Sequence, residues 1–208
     1  MRVLIADDQA LFRRGLRETL ADTFSKVSFG EVRTAQDALK HVRRQDWDVV
    51  ILDISMPGEG GLDILDDLKG LRPKLPILLL SRHPEPFARR ALKAGAAGYL
   101  NKDCLPEELN EAIKRIVGGG RYERPALSEK LAEDLRTGAS LPLHELLSDR
   151  EFQVLRMIAS GRTVKKIAEE LSLSVKTVST YRARILEKTG MKTNAELIRY
   201  ALQTHLVD

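Results

Sequence analysis

Five polar residues of complementary chemistry follow short apolar runs in the first half of this 208-residue sequence: Asp7 and Asp8, Asp53, Ser81 and Lys102. Each stands where a strand would end: after Val3-Leu4-Ile5-Ala6, after Val49-Val50-Ile51-Leu52, after Ile77-Leu78-Leu79-Leu80, or after Gly98-Tyr99-Leu100. Carboxylates brought onto one rim repel one another unless a cation sits among them. Magnesium suits such a set, because it is a hard ion held by one or two carboxylates, waters and phosphate oxygens. A hydroxyl from Ser81 and an ammonium from Lys102 could bind the oxygens of an anion carried by Asp53. Taken singly, each residue reads as well as a solvated loop side chain; all five at strand ends point to one site.

The elements that must position them follow from patterning. Continuous apolar strings suit strands covered on both faces, as in a parallel sheet. Weaker strands fit Lys26–Val32 and Gly98–Leu100, and helices fit Leu11–Phe24, Ala35–Arg44, Gly61–Lys69, Pro86–Ala94 and Pro106–Val117, with Gly95 capping the fourth. Strands and helices alternating five times predict a flavodoxin-like, doubly wound α/β domain over residues 1–118, with its functional groups at the carboxyl ends of the strands. Gly118-Gly119-Gly120 ends that pattern. Residues 119–146 read as a linker with a short helix, Pro125–Leu135, and residues 147–208 as an all-α domain of four helices. These are Phe152–Ala159, opened by the capping box Ser148-x-x-Glu151, then Val164–Leu171, Val175–Thr189 and Asn194–Leu206.

Composition narrows the classes of function. With 43% hydrophobic and 31% charged residues, and no long apolar run, the chain is expected to be soluble and cytosolic, without a signal peptide or membrane span. A single cysteine, Cys104, excludes an internal disulfide framework and a multi-cysteine metal site. The net charge of +4 is uneven: residues 1–118 carry +1, residues 119–146 carry −1 and residues 147–208 carry +4. Such asymmetry favours a polyanionic partner for the C-terminal part.

Asp7-Asp8, Asp53-Ile54-Ser55-Met56-Pro57-Gly58, Ser81 and Gly98-Tyr99-Leu100-Asn101-Lys102 together resemble the receiver-domain signature of two-component response regulators. The resemblance implies that Asp53 accepts a phosphoryl group from a histidine kinase. It implies magnesium held by Asp7, Asp8, Asp53 and the backbone carbonyl of Ser55. Ser81 and Lys102 would contact the phosphoryl oxygens, and Tyr99 would be the switch aromatic. Two departures are Ser81, where many receivers have threonine, and Asp103 after Lys102, where many have proline.

Residues 147–206 resemble the LuxR-type helix-turn-helix of the NarL/FixJ branch. The match rests on Leu147-Ser148-Asp149-Arg150-Glu151, Val154-Leu155, Gly161, Ile167-Ala168, Leu171, Ser174, Lys176-Thr177-Val178, Tyr181 and Lys188. Thr189 stands where that family usually has leucine. Double-stranded DNA is the implied partner, with the third helix of the domain in the major groove. Val178, Tyr181, Ile185 and Leu186 fall on its inward side, with Tyr181 also counted among the candidate contacts. Lys176, Thr177, Ser179, Thr180, Tyr181, Arg182, Ala183, Arg184, Lys188 and Lys192 are those contacts: Ser179, Thr180 and Ala183 for base edges, the cations for phosphates. In the family the last helix makes the dimer contact of the output domain, which here assigns Leu197, Ile198, Ala201 and Leu202. A homodimer on phosphorylation, a cognate kinase and RNA polymerase complete the expected partners. Two other readings compete: a regulator whose receiver-like domain works without phosphate, and a magnesium-dependent phosphohydrolase. The intact five-residue site argues against the first. Ser55, where an Asp-x-Asp enzyme would carry its acid/base, argues against the second.

Overall fold

A computed structural model describes residues 1–56, 61–82, 85–123 and 142–207. The chain divides into two compact units, Met1–Lys130 and Leu131–Asp208. The first is built on a parallel sheet of order β2-β1-β3-β4-β5, with β1 Arg2–Ala6, β2 Ser28–Val32, β3 Val49–Asp53, β4 Ile77–Ser81 and β5 Gly98–Asn101. β3 and β4 are buried along their whole length, which is why their sequences are apolar without alternation. β2, at an edge, is only partly covered. Helices α1 Ala10–Thr23, α2 Ala35–Arg44, α3 Leu65–Leu71 and α4 Glu85–Lys93 connect the strands, and α5 Pro106–Val117 follows β5. Each apolar side chain fully removed from water in this core contributes roughly 1.5–3 kcal/mol before entropy is counted.

Most element positions agree with the sequence pattern, and the exceptions have local causes. α3 begins at Leu65 rather than Gly61. A Cβ on Gly61 would lie 2.3 Å from the Asp53 carbonyl oxygen, so this glycine lets the chain cross the end of β3 closely instead of starting a helix. Gly95 takes φ +86 after α4, as a left-handed cap should. Beyond α5 the chain turns through Gly119, at φ +85, and Tyr122 returns to bridge Gly98 and join the core. Residues up to Tyr122 therefore pack with the first unit, past the glycine run taken as its end. The short helix expected over Pro125–Leu135 lies outside the described residues.

The described part of the second unit begins with a 3-10 turn, Leu143–Leu146, followed by α6 Asp149–Ala159, α7 Val164–Glu170, α8 Val175–Thr189 and α9 Asn194–Gln203. Side-chain caps fix the starts: Ser148 with Glu151, Thr163, Ser174, and Thr193 with Glu196. Gly190, left-handed at φ +68, ends α8. α9 stops at Gln203, earlier than the expected Leu206, because His205 adopts φ +53 and folds buried Leu206 back so that its N–H reaches Ala201 O at 2.8 Å. His144 in the opening turn is buried; its Nδ1 lies 2.7 Å from the Tyr200 hydroxyl and its ring beside Phe152. Among the described residues, no helix is long and apolar enough to cross a membrane.

Candidate functional site

The parallel sheet brings the carboxyl ends of its central strands to one rim. Asp7 follows β1, Asp53 closes β3, Ser81 closes β4, and Lys102 follows β5. One carboxylate oxygen from each of Asp7, Asp8 and Asp53 lies within 4.8 Å of the others. Asp7 and Asp53 are buried and Asp8 half-buried. The Lys102 ammonium reaches Asp7 Oδ2 at 2.7 Å and Asp53 Oδ2 at 3.0 Å, and all three side chains are at most 5% exposed. Its Nζ also stands 4.8 Å from the centre of the Phe12 ring, a cation–π approach. Burial pushes the Asp53 carboxyl above the usual carboxylate range; the Ser55 N–H, 3.0 Å from Oδ1, and Lys102 oppose that rise, while Asp7 adds to it. Three acids against one ammonium leave the rim short of positive charge. That deficit and the all-oxygen donor set fit a hard divalent cation.

Ser81 and Tyr99 are buried neighbours on this side of the sheet: Ser81 pairs with Asn101, and Tyr99 with Leu79. Ser55 is exposed two residues beyond Asp53. The Lys102–Asp103 peptide is trans, and the Asp103 N–H donates to Asn101 Oδ1 at 2.8 Å, a bond that proline could not make. Three residues beside the rim escaped the sequence reading. Arg13, 8% exposed, donates to the Asp7 main-chain carbonyl at 2.7 Å and from Nε to Glu31 at 3.2 Å. The Gln9 N–H donates to Asp7 Oδ1 at 2.7 Å. Arg13 stands three and seven residues before Leu16 and Leu20, so helical spacing already sets it on the inward face and Arg14 off it.

In the second unit, α8 presents a mixed face. Val178 and Ile185 are buried, while Thr177, Tyr181, Arg182 and Leu186 are half-buried, so Tyr181 and Leu186 are less enclosed than their spacing suggests. Lys176, Ser179, Thr180, Ala183, Arg184 and, beyond the helix, Lys192 are exposed. Two expected phosphate contacts have other partners. Lys188 closes an ion pair at 2.6 Å with Glu151, whose side chain is 3% exposed, and Arg182 donates to Asn194 Oδ1 at 2.6 Å, tying α8 to the start of α9. Burial raises the Glu151 carboxyl, but the bonds from Lys188 and Ser148 together hold it below its ordinary value. Thr189 is buried without a loose hydroxyl, since Oγ1 donates to Ile185 O at 2.7 Å. The assignment of α9 to a dimer contact needs correction. Leu197 and Ala201 are fully buried in their own unit, leaving half-buried Ile198 and Leu202, 49% exposed, as outward apolar residues. Exposed Lys165 and Lys166 on α7 add cations that the sequence reading overlooked.

Comparison with known proteins agrees with both halves. Residues 3–114 match the response regulator receiver domain, and residues 145–201 match the bacterial regulatory proteins of the luxR family. The response regulator GacA of Pseudomonas aeruginosa is 36% identical, covering 100% of this chain and 98% of its own. UvrY of Escherichia coli is 35% identical over 98% of this chain and 94% of its own. Among solved structures, RcsB from Salmonella enterica serovar Typhimurium, bound to promoter rprA with the phosphomimetic BeF3-, superposes with TM-score 0.75 at 27% identity, covering 96% of this chain and 97% of that one. The chain therefore belongs to the response regulators that join a receiver domain to a luxR-type helix-turn-helix, and is a DNA-binding member of a two-component system.

Proposed function

We propose that a histidine kinase phosphorylates Asp53 and that the phosphorylated chain dimerises to bind promoters. The observation that carries this reading is the convergence of three carboxylates and the Lys102 ammonium on one buried rim. Asp7, Asp8, Asp53 and the Ser55 carbonyl would hold magnesium, which supplies positive charge to the transferring group. An Asp53 carboxylate oxygen attacks phosphorus in line, forming a P–O bond as the P–N bond to the kinase histidine breaks. Lys102 and the Ser81 hydroxyl take up the phosphoryl oxygens. Water later cleaves the acyl phosphate and restores Asp53, so the site is a timed switch and not a turnover enzyme. Tyr99, buried near Ser81, would be the aromatic that follows the hydroxyl.

For the output unit, residues 147–208 with the turn before them, Lys176, Arg184 and Lys192 would neutralise phosphates. Ser179, Thr180 and Ala183 would meet base edges, with Thr177, Tyr181 and Arg182 shaping the helix they stand on. Ile198 and Leu202 would meet a second copy, placing two units on half-sites about 34 Å apart. RNA polymerase is the further partner a promoter-bound regulator would meet, and the cytoplasm its place of work. Acetyl phosphate with magnesium should add one phosphoryl group, mapped by peptide mass spectrometry to Asp53, and beryllofluoride should tighten binding to a two-half-site operator. Label on another residue, or operator affinity unmoved by beryllofluoride, would overturn the reading.

A further inference from the structure

Asp7 is held at every polar atom. Its N–H donates to Val32 O at 3.2 Å, Oδ1 accepts from the Gln9 N–H, Oδ2 accepts from Lys102, and its carbonyl accepts from Arg13 at 2.7 Å. Of these bonds, the last alone brings a side chain onto the main chain of Asp7. Arg13 lies in the first turns of α1, yet its guanidinium is buried and forked. One arm holds the carbonyl between Asp7 and Asp8, and the Nε arm holds Glu31 on β2, which Arg17 also meets at 3.4 Å. A forked guanidinium fixes two groups in one plane, which a lysine ammonium does not. α1 has no side-chain cap at Gln9 and no acid in its first turn, so the turn from β1 into the helix is held by the Gln9 N–H on Asp7 Oδ1 and by Arg13 on the Asp7 carbonyl.

We propose that Arg13 is a positioning residue for the cation site: braced against Glu31, it sets the Asp7–Asp8 turn so that both carboxylates meet magnesium without rearrangement. This rests on the reading of Asp7, Asp8 and Asp53 as the magnesium site. Magnesium demands near-ideal octahedral geometry, and groups that orient its ligands commonly govern affinity by 10–100-fold. The direction of the effect separates positioning from charge. Arg13 is a cation beside a cation site, so on charge alone its loss should tighten magnesium binding; as a brace, its loss should weaken it.

The test is magnesium binding to the full chain by titration calorimetry, with urea unfolding to verify each variant. Arg13→Gln should bind magnesium about 10-fold more weakly, while the Asp53 labelling rate at saturating magnesium stays close to wild type. Arg14→Gln makes the same charge change on an exposed residue paired with Glu18 and should leave the affinity unchanged. Arg13→Lys keeps the charge but not the fork; it should remain weakened, and it carries the test should Arg13→Gln fail to fold. Equal or tighter binding in Arg13→Gln, or wild-type affinity in Arg13→Lys, overturns the brace. Should the wild type bind no magnesium, or Asp8→Asn bind it undiminished, the cation-site reading itself falls and the brace with it.

Discussion

Two lysines, one in each unit, face carboxylates in opposite ways. Lys102 sits 5% exposed between Asp7 and Asp53, where acids outnumber it. Lys188 is 41% exposed and faces one buried acid, Glu151. Withdrawing Lys102 leaves a cluster that a metal could neutralise, so under the proposed function this ammonium would be free to follow a phosphoryl group. Withdrawing Lys188 strands Glu151 in the interior, so that ammonium is committed to its own fold. The rim keeps its charges largely buried, where interactions are strong. On the proposed reading the α8 face would work through exposed cations such as Lys176 and Arg184, screened by salt and tolerant of sequence.

The largest expected effect is at the rim. Asp53→Asn should lose all labelling by acetyl phosphate while remaining folded, and label retained would end the contrast at its stronger side. Because the Asp53 carboxyl is raised, folding favours its neutral form. That contribution is full in acid and lost as pH rises through the raised value. In magnesium-free protein, the urea midpoint of Asp53→Asn should therefore gain on wild type as pH rises from acid to neutral.

In the second unit the contrast turns on burial. Leu197→Ala should cost 2–5 kcal/mol as a core truncation. Leu202→Ala should stay within about 0.5 kcal/mol, yet weaken cooperative binding to two half-sites. Equal urea midpoints for the two would contradict the assignment of α9 faces.

Smaller is Lys188→Ala, at about 1–2 kcal/mol of stability, below the cost of a fully buried pair because this lysine is partly solvated. Glu151 is held below its ordinary value, so the pair contributes fully above the ordinary value and the contribution is lost as pH falls through the lowered one. The gap between variant and wild type should shrink in acid. Its DNA affinity should keep the wild-type salt dependence. Smallest is Arg184→Ala, which should lower the salt slope by about 1, whereas Thr180→Ala should alter the preferred sequence and spare the slope. A slope lost in Lys188→Ala and kept in Arg184→Ala would reverse the roles given to these two cations.

The sheet and its rim were legible because strand burial forces apolar strings and the parallel topology places their following residues together. Asp7, Asp53 and Ser81 each sit one step after such a string, and Lys102 two steps after Leu100. Helical spacing from Leu16 and Leu20 puts Arg13, and not Arg14, on the inward face of α1, but nothing in the order of residues says that its partners are the Asp7 carbonyl and Glu31. Lys188 is ambiguous for a related reason. Its charge reads the same whether it meets a phosphate or Glu151, 37 residues away. Leu197 and Ala201 lie with Ile198 and Leu202 on one short helix, and pattern alone does not divide an apolar helix between its own core and a partner. The Thr193-x-x-Glu196 box was in plain view and simply resembles many non-capping strings.

The contact of His144 with Tyr200 bears on how this protein could be taken apart. His144 precedes the luxR-type match, which starts at residue 145, yet its ring is part of the interior there. A fragment trimmed to begin at Leu147 would carry a half-buried tyrosine hydroxyl stripped of its imidazole partner and a Phe152 open on one side. A graft of this output unit onto another sensor should therefore keep Pro142 and the turn after it, since a chimera cut later would lose the His144 contacts with Tyr200 and Phe152.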